Sequence, residues 1–220
     1  MGLVIVPLMA GLFGARASTG VLLPVLIIAD VMAVVYYRRH VEWRFIFLLL
    51  PWTVAGIIIA MITGNQINEK QFSIILTTII IIMLVLMILK DIRKKSEGKI
   101  PDNHVFSGIM GTAGGFATMI GNSAGPIFTI YFLAMRIPKR EFIGTGAWFF
   151  LIINLGKVPL HIFSWETINP ETLKLSLSTF PFIFLGVLAG IYLVKLFPEK
   201  VYRYFVIIAT LASSLFLVIK

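Results

Sequence analysis

The sequence contains no cysteine, which excludes disulfide bonds, thiolate metal sites and cysteine nucleophiles. Charge is also scarce, since 13% of the 220 residues are Asp, Glu, Lys or Arg, against roughly 25% in soluble domains. Acidic residues are the scarcest, with 10 against 19 basic ones and a net charge of +9. A soluble fold of this size has no core large enough to hide 59% hydrophobic residues. The composition therefore predicts an integral membrane protein that contacts the lipid bilayer.

Enzyme motifs are missing as well. The sequence has no nucleophile elbow, no phosphate-binding Gly-Lys-Ser/Thr loop and no His/Glu spacing of a metal site. Its three histidines, at positions 40, 104 and 161, are too scattered to form a site. We therefore predict that the protein is not an enzyme and has no cofactor and no bound metal.

Long apolar runs dominate what is present, and four of them have at least 19 residues without charge. A helix needs roughly 20 apolar residues to cross a bilayer, and these runs lack the alternation of strands. The predicted segments are 2–14, 17–37, 45–66, 71–89, 104–135, 142–164, 175–195 and 204–219. The predicted fold class is an all-α polytopic membrane protein.

Basic residues cluster between the apolar runs, at 38–44, 90–99, 136–140 and 195–203. Nucleic-acid binding would need a basic stripe on a soluble face. Short basic clusters between apolar segments are instead typical of cytoplasmic loops. The positive charge therefore indicates membrane orientation and not a nucleic-acid partner.

The two halves of the sequence resemble each other. Matching pairs are Gly20 with Gly144 and Asp30 with Asn154 at an offset of 124, and Pro51 with Pro181 and Gly56 with Gly186 at 130. Small residues such as Gly56 and Gly186 also suit helix packing alone. The repeat predicts a first membrane unit at 1–90, a cytoplasmic linker at 91–103 and a second unit at 104–220, with about four segments in each unit.

Segment 104–135 decides how the two units are oriented. If it enters and leaves on the same side, 14 basic residues lie inside and 4 outside, whereas a single crossing gives 10 and 8, with Lys157 omitted from both counts. The positive-inside rule favours the first arrangement, in which the repeats are inverted as in many secondary transporters. The Gly-rich centre of segment 104–135 predicts two half-helices separated by a break near 121–126, with Pro126 in the first turn of the second half-helix.

The first unit is predicted to lack part of its own broken helix, because the repeat pairs Gly125 with about Met1. A charged α-amino group near the membrane centre is costly. We expect about 20 further residues upstream, enough for the missing half-helix, or a truncated or mis-started reading frame.

The break near 121–126 carries the chemical prediction. Free N–H groups and the positive dipole end at the start of a half-helix attract anions. Gly121 and Gly125 let a ligand approach the backbone, while Thr118, Asn122 and Ser123 supply polar contacts. The alternative is a ligand-free bend that serves packing.

Ionisable residues inside other spans complete the candidate site, because intramembrane charge is a functional hypothesis by default. Lys157 is the predicted counter-charge, and Asn154 shares its helix face three residues earlier. Asp30 and His161 are candidates for a proton relay. The alternatives are that Lys157 snorkels to the surface, that His161 lies near that surface, and that Asp30 pairs with Arg38 or caps a neighbouring helix.

The Gly-rich segment 114–126, the stretch 154–159 and the basic loop 38–44 resemble those of the TauE/SafE sulfite-exporter family. The likeness covers essentially the whole chain. It implies an inner-membrane transporter of small sulfur-containing anions such as sulfite or organosulfonates, built from two four-segment repeats whose first members are broken. It also implies that the second Gly-rich break, Asn154 and Lys157 line the anion path. This chain departs from the family by lacking the upstream half of the first Gly-rich element.

The sequence thus predicts a secondary transporter that moves a small anion across the inner membrane by alternating access. One alternative is a non-transporting subunit or assembly factor with the same fold, which the missing first half-hairpin favours. A second alternative is a cation or metabolite carrier that uses Asp30. The transported anion, the energy coupling and the oligomeric state stay open.

Overall fold

The computed structural model describes residues 2–68, 104–135 and 137–182, together with scattered positions between 70 and 85 and between 184 and 192. Its helices are α1 (Gly2–Phe13), α2 (Ala15–Tyr37), α3 (Trp43–Gln66), α4 (His104–Gly121), α5 (Gly125–Ala134), α6 (Lys139–Phe163) and α7 (Pro170–Ser178). These ranges contain no strand, so the predicted helical class is confirmed. The predicted linker at 91–103 and segment 204–219 lie outside the described residues.

Among the described residues, three helices are long and apolar enough to cross a bilayer: Ala15–Tyr37, Trp43–Gln66 and Arg140–Phe163. Large apolar side chains such as Val35, Phe47 and Phe163 are exposed on their outer surfaces. Extensive exposed apolar surface is unusual for a soluble monomer and suits contact with lipid. The protein is therefore a membrane protein, as its composition predicts.

Glycines bring α3 and α4 into backbone contact. A side chain at Gly56 would collide with the carbonyl oxygen of Thr112, and one at Gly115 would collide with that of Thr53. Small residues allow this close approach, which increases van der Waals contact between helices in a membrane. The packing role predicted for Gly56 is confirmed, whereas a Cβ at Gly186, its counterpart in the repeat, meets no atom of the described residues within 4 Å.

One end of the helix bundle joins the α2–α3 turn to the start of α6. The backbone N–H of Glu42 donates to Thr145 Oγ1 at 2.9 Å. Gly144 packs directly on the carbonyl oxygen of His40, leaving no room for a side chain. The basic loop 38–44 and the first turns of α6 therefore lie at the same end of the molecule.

A similar contact, with the roles of α2 and α6 exchanged, lies at the other end of the bundle. Gly20, near the start of α2, packs directly on the backbone of Thr167, which follows α6. Between the two ends, Asn154 Nδ2 donates to Asp30 Oδ2 at 2.7 Å. Helices α2 and α6 therefore run antiparallel along their whole length. Residues that the offset of 124 matches, Asp30 and Asn154, contact each other at the middle.

Segment 104–135 folds back on itself as a helical hairpin. Helix α4 ends at Gly121 and α5 begins at Gly125, with Pro126 in its first turn. Gly114 packs against the ring of Phe128, and further from the break the hydroxyls of Ser107 and Tyr131 hydrogen-bond at 3.0 Å. Contacts that pair earlier α4 residues with later α5 residues require antiparallel helices. The predicted break and its hairpin geometry are confirmed.

Candidate functional site

Helix α4 ends in a left-handed turn at Asn122, whose φ is 51°. Asparagine adopts this conformation more readily than most residues. The N–H of Asn122 donates to the Thr118 carbonyl at 3.0 Å, and the N–H and hydroxyl of Ser123 both donate to Ala117 O at 3.3 Å. The last turn of α4 is therefore closed by its own following residues, as in a left-handed helix cap.

Lys157 of α6 reaches into this turn and is fully buried, at 0% exposure. Its Nζ donates to the Thr118 carbonyl at 3.1 Å, to Thr118 Oγ1 at 3.0 Å and to Asn122 Oδ1 at 2.7 Å. These bonds use all three ammonium donors. The C-terminal end of a helix is also the negative end of its dipole. The cation is thus fixed at the end of α4 and does not snorkel to the surface.

Asn122 ties a third helix to the break. Its Nδ2 donates to the carbonyl oxygen of Thr19 in α2 at 3.2 Å. With the amide oxygen on Lys157 and the amide nitrogen on Thr19, this side chain joins α2 and α6 at the end of α4. Asn122 therefore contributes in two ways: its backbone forms the left-handed turn, and its side chain bonds to both Lys157 and Thr19.

Asn154 lies one turn before Lys157 and is also buried, at 3% exposure. Its Nδ2 donates to the half-buried Asp30, while its Oδ1 has no hydrogen-bond partner among the described residues. Asp30 also interacts electrostatically with Lys157. The Asp30 carboxyl accepts from Asn154, and neither the predicted pair with Arg38 nor a helix cap is the contact observed.

His161 occupies the last turns of α6 and is fully buried. Its Nδ1 lies 2.7 Å from Thr167 Oγ1, and its carbonyl oxygen accepts from the N–H groups of Thr167 and Ile168. The ring meets Trp165 edge to face at 5.4 Å between centroids. Its Nε2 has no hydrogen-bond partner in the described part of the chain. The observed contacts of His161 organise the turn after α6.

Sequence reasoning missed a polar cluster beside that turn. Arg16 Nη2 donates to Asn65 Oδ1 at 2.9 Å, and Asn65 Nδ2 donates to Ser164 Oγ at 3.2 Å. The Arg16 guanidinium lies 5.2 Å from the centroid of the Trp165 ring. The sequence did mark Arg16 as a candidate, because it matches Arg140 at the same offset of 124 as the other repeat pairs.

Helix α5 starts on the other side of the break with an open flank. A Cβ added at Gly125 would meet no described atom within 4 Å outside its chain neighbours. The first N–H groups of any helix lack intrahelical partners and lie at its positive dipole end. Space for a small ligand therefore exists beside backbone donors, across the break from the fixed charge of Lys157.

An apolar cavity lies elsewhere in the described part of the chain. It measures about 820 Å³ and is lined by apolar residues of α3 and α4, among them Trp52, Ile109 and Phe116. None of the predicted site residues lines it. Nor do the described residues contain a group of His, Asp and Glu side chains that could hold a metal ion. The polar break is thus the chemically distinctive place in this part of the chain.

Of the predicted site residues, the structure brings Thr118, Asn122 and Lys157 into direct contact. A second pair joins Asn154, one turn before Lys157 on α6, to Asp30 on α2. The remaining ones are placed apart: Ser123 bonds back to α4, Gly121 ends that helix, Gly125 borders open space and His161 joins the turn after α6.

Comparison with known proteins gives one result. The family model described as Sulfite exporter TauE/SafE matches residues 1–217 of the 220. Searches of curated proteins and of solved structures give no match. The family match extends over both halves and includes the broken hairpin, Lys157 and Asn154. The chain therefore belongs to the TauE/SafE sulfite exporter family.

Proposed function

We propose that the protein is a secondary transporter that moves a small anion across the inner membrane by alternating access. The observation that carries the proposal is the fully buried ammonium of Lys157, whose three hydrogen-bond acceptors are all uncharged. Uncharged acceptors satisfy the donors but supply no bonded counter-charge. The carboxyl that interacts electrostatically with Lys157, that of Asp30, is bonded to Asn154 instead. A buried positive charge without a bonded carboxylate favours an anionic ligand.

The proposed binding place is the break between α4 and α5. The open flank of Gly125 admits an anion to the first backbone N–H groups of α5. Lys157 contributes through its field from the α4 side, because Thr118 and Asn122 hold its donors. Asn154, one turn before Lys157 on α6, bonds to Asp30 of α2.

Inverted repeats supply the two states that alternating access requires. Helices α2 and α6 are the matched members of the two halves, and they run antiparallel. A two-fold axis that relates antiparallel helices is perpendicular to them, so it lies in the membrane plane. Contact between the matched residues Asp30 and Asn154 is what such an axis predicts. Rocking of one half against the other would then expose the site to each side in turn.

The family description points to sulfite as a first substrate to test. Sulfite and organosulfonates are compact oxyanions, and several backbone donors at a helix start can bind their oxygens at once. Small carboxylates share the charge but have a flat, two-oxygen head. Comparison of these three groups therefore tests both the charge and the shape of the ligand.

The test is anion flux into proteoliposomes that contain the purified full chain. We expect flux of sulfite or a sulfonate in wild type and a loss of about tenfold or more in Lys157→Ala, because a buried counter-charge is removed. Lys174→Ala is the matched control, since Lys174 is exposed on α7. Equal flux in wild type and Lys157→Ala would exclude the counter-charge role.

A non-transporting membrane protein with the same fold is the second candidate. One observation favours it: the hydrogen bonds of Lys157 are already saturated by α4, as a purely structural lysine's would be. A protein of this kind would give no flux for any anion tested, while retaining its helical content and its stability.

A further inference from the structure

The pairing of Asp30 with Asn154 is chemically incomplete. Asn154 Nδ2 donates to Asp30 Oδ2 at 2.7 Å, but Asn154 Oδ1 is buried and has no hydrogen-bond partner in the described residues. Buried amide oxygens are nearly always satisfied, and an unsatisfied one is destabilising. A donor is therefore missing directly beside the carboxyl group.

Protonation of Asp30 supplies that donor. A carboxylate can only accept hydrogen bonds, whereas a protonated carboxyl also has an O–H group. A carboxylic acid and a primary amide placed side by side can form two reciprocal bonds, N–H to oxygen and O–H to oxygen. The first of these is already in place between Asn154 and Asp30. A proton taken up from water by the other Asp30 oxygen completes the second.

We infer that Asp30 is a proton-binding site of the transport cycle, that Asn154 recognises its protonated form, and that the proton travels with the anion. The inference rests on the proposed function, and it deepens it by naming the coupled ion. The proton joins the carboxylate from water on one side and leaves to water on the other, so no further reactant is needed.

The charges around Asp30 explain the coupling. Lys157 is the charged side chain of α6 that interacts with Asp30. When Asp30 is ionised, its charge offsets that of Lys157 and the site attracts an anion weakly. When Asp30 is protonated, the site is positive, so proton and anion each strengthen the binding of the other. A carrier loaded with a proton and a monovalent anion has no net charge at the site, which lowers the cost of its passage.

Other titratable groups on the neighbouring elements lie away from this pair. Helix α1 has none, and the one in α4 is the exposed His104. The titratable residues of α7 are Glu171 and Lys174, and both are exposed. Helix α7 contacts the first half of α2, where Ser176 donates to the Val21 carbonyl, and Asp30 lies in the second half. On α6, His161 follows Lys157 by one turn and interacts with it electrostatically.

The position of the pair couples the proton to the proposed motion. Asp30 lies on α2 of the first half and Asn154 on α6 of the second. Their hydrogen bond therefore crosses the interface at which the two halves rock. A change from one bond to two reciprocal bonds strengthens the contact between the two halves. A bound proton can therefore shift the equilibrium between the two conformations of alternating access.

Infrared spectroscopy tests the proton directly, without any transport. Wild-type protein should show a protonated-carboxyl C=O band that shifts in D2O and disappears in Asp30→Asn. The band should move to higher frequency in Asn154→Leu, because the N–H donor to Asp30 is lost. Glu171→Gln, which alters an exposed carboxyl, should leave the band unchanged. If wild type shows no band that Asp30→Asn removes at any pH at which it stays folded, the inference is wrong.

Flux measurements then separate the coupling from the proposed function. An inward proton gradient should drive sulfite accumulation in wild type, and about tenfold less in Asp30→Asn. Glu171→Gln, at an exposed carboxyl, should accumulate sulfite as wild type does. Gradient-driven accumulation equal to wild type in Asp30→Asn overturns the inference and leaves anion transport standing. Absence of all flux in wild type overturns the proposed function, and the infrared band still decides whether Asp30 binds a proton.

Discussion

Lys157 Nζ lies 2.7 Å from Asn122 Oδ1, so a fully buried cation of α6 is bonded to the residue that ends α4. The other two donors of Lys157 go to Thr118, again to uncharged oxygens. Burial of an ammonium group carries a desolvation penalty of several kcal/mol, which hydrogen bonds to uncharged groups do not fully offset. The presence of Lys157 therefore argues for a use other than stability.

Lys157→Met should separate stability from transport. Removal of the cation abolishes a desolvation cost of several kcal/mol. The opposing costs are an unpaired Asn122 Oδ1, at about 1–3 kcal/mol, and loss of the charge that interacts with Asp30, which protonation of that carboxyl can offset. Thr118 O still accepts from the Asn122 N–H. We expect a midpoint of thermal unfolding equal to or above wild type, together with at least about tenfold less anion flux.

Thermal unfolding in detergent and flux in proteoliposomes measure the two quantities on the same preparation. Lys174→Met, at an exposed position, is the control and should change neither. A marked fall in thermal stability with unchanged flux would show that Lys157 is a structural tether.

Substitutions at Asn122 should separate its backbone role from its side-chain role. Both Asn122→Gly and Asn122→Ala remove the bonds to Lys157 and Thr19. Only glycine accepts the φ of 51° without strain, so the alanine variant should be less stable by about 1 kcal/mol. Flux should fall in both variants. Equal stability of the two variants, measured by thermal unfolding, would contradict a strained turn.

Local features of this fold could be predicted from the sequence because they depend on nearby residues. The break between Gly121 and Gly125 follows from clustered glycine and proline, which disfavour a continuous helix wherever they occur.

Partner choice across the fold could not be predicted in the same way. Lys157 lies 39 residues from Thr118, and nothing local in the sequence shows which helix end its ammonium meets. The contact of Arg16 with the Trp165 ring is longer in range still. Such contacts depend on how whole helices pack, and their rotation is decided by side chains spread over both halves.

Gly125→Val should block the proposed binding place at a modest cost in stability. A Cβ at Gly125 meets no described atom within 4 Å outside its chain neighbours, but Pro126 disfavours a helical conformation in a preceding residue that has a Cβ. The valine side chain would occupy the space beside the first N–H groups of α5, and a misplaced ligand can lose about two orders of magnitude in rate. Gly146→Val on α6, which also faces open space, is the matched control.

Gly125→Val should unfold at a slightly lower temperature than Gly146→Val, because only Gly125 precedes a proline. Anion flux should fall only in Gly125→Val. Unchanged flux in Gly125→Val would move the anion path away from the start of α5.

Gly115→Ala should destabilise the protein through the α3–α4 contact. The added methyl group would collide with the Thr53 carbonyl oxygen, which belongs to a helix backbone and cannot rotate away. Overpacking of this kind costs about 1–3 kcal/mol. Gly146→Ala should instead be neutral or gain up to about 1 kcal/mol from helix propensity. Chemical or thermal unfolding of the two variants compares them directly, and equal stabilities would contradict backbone contact between α3 and α4.

Single cysteines should report the sidedness of the hairpin without background, because the native chain has no cysteine. Gly144 packs on His40, so the loop after α2 and the start of α6 share one end of the bundle. Their basic residues predict that this end is cytoplasmic. Arg39→Cys and Lys139→Cys should therefore react with a membrane-impermeant thiol reagent only from the cytoplasmic side, and Glu166→Cys only from the other. Labelling of Lys139→Cys from the same side as Glu166→Cys would mean that segment 104–135 crosses the membrane once, and the inverted arrangement of the halves would then be wrong.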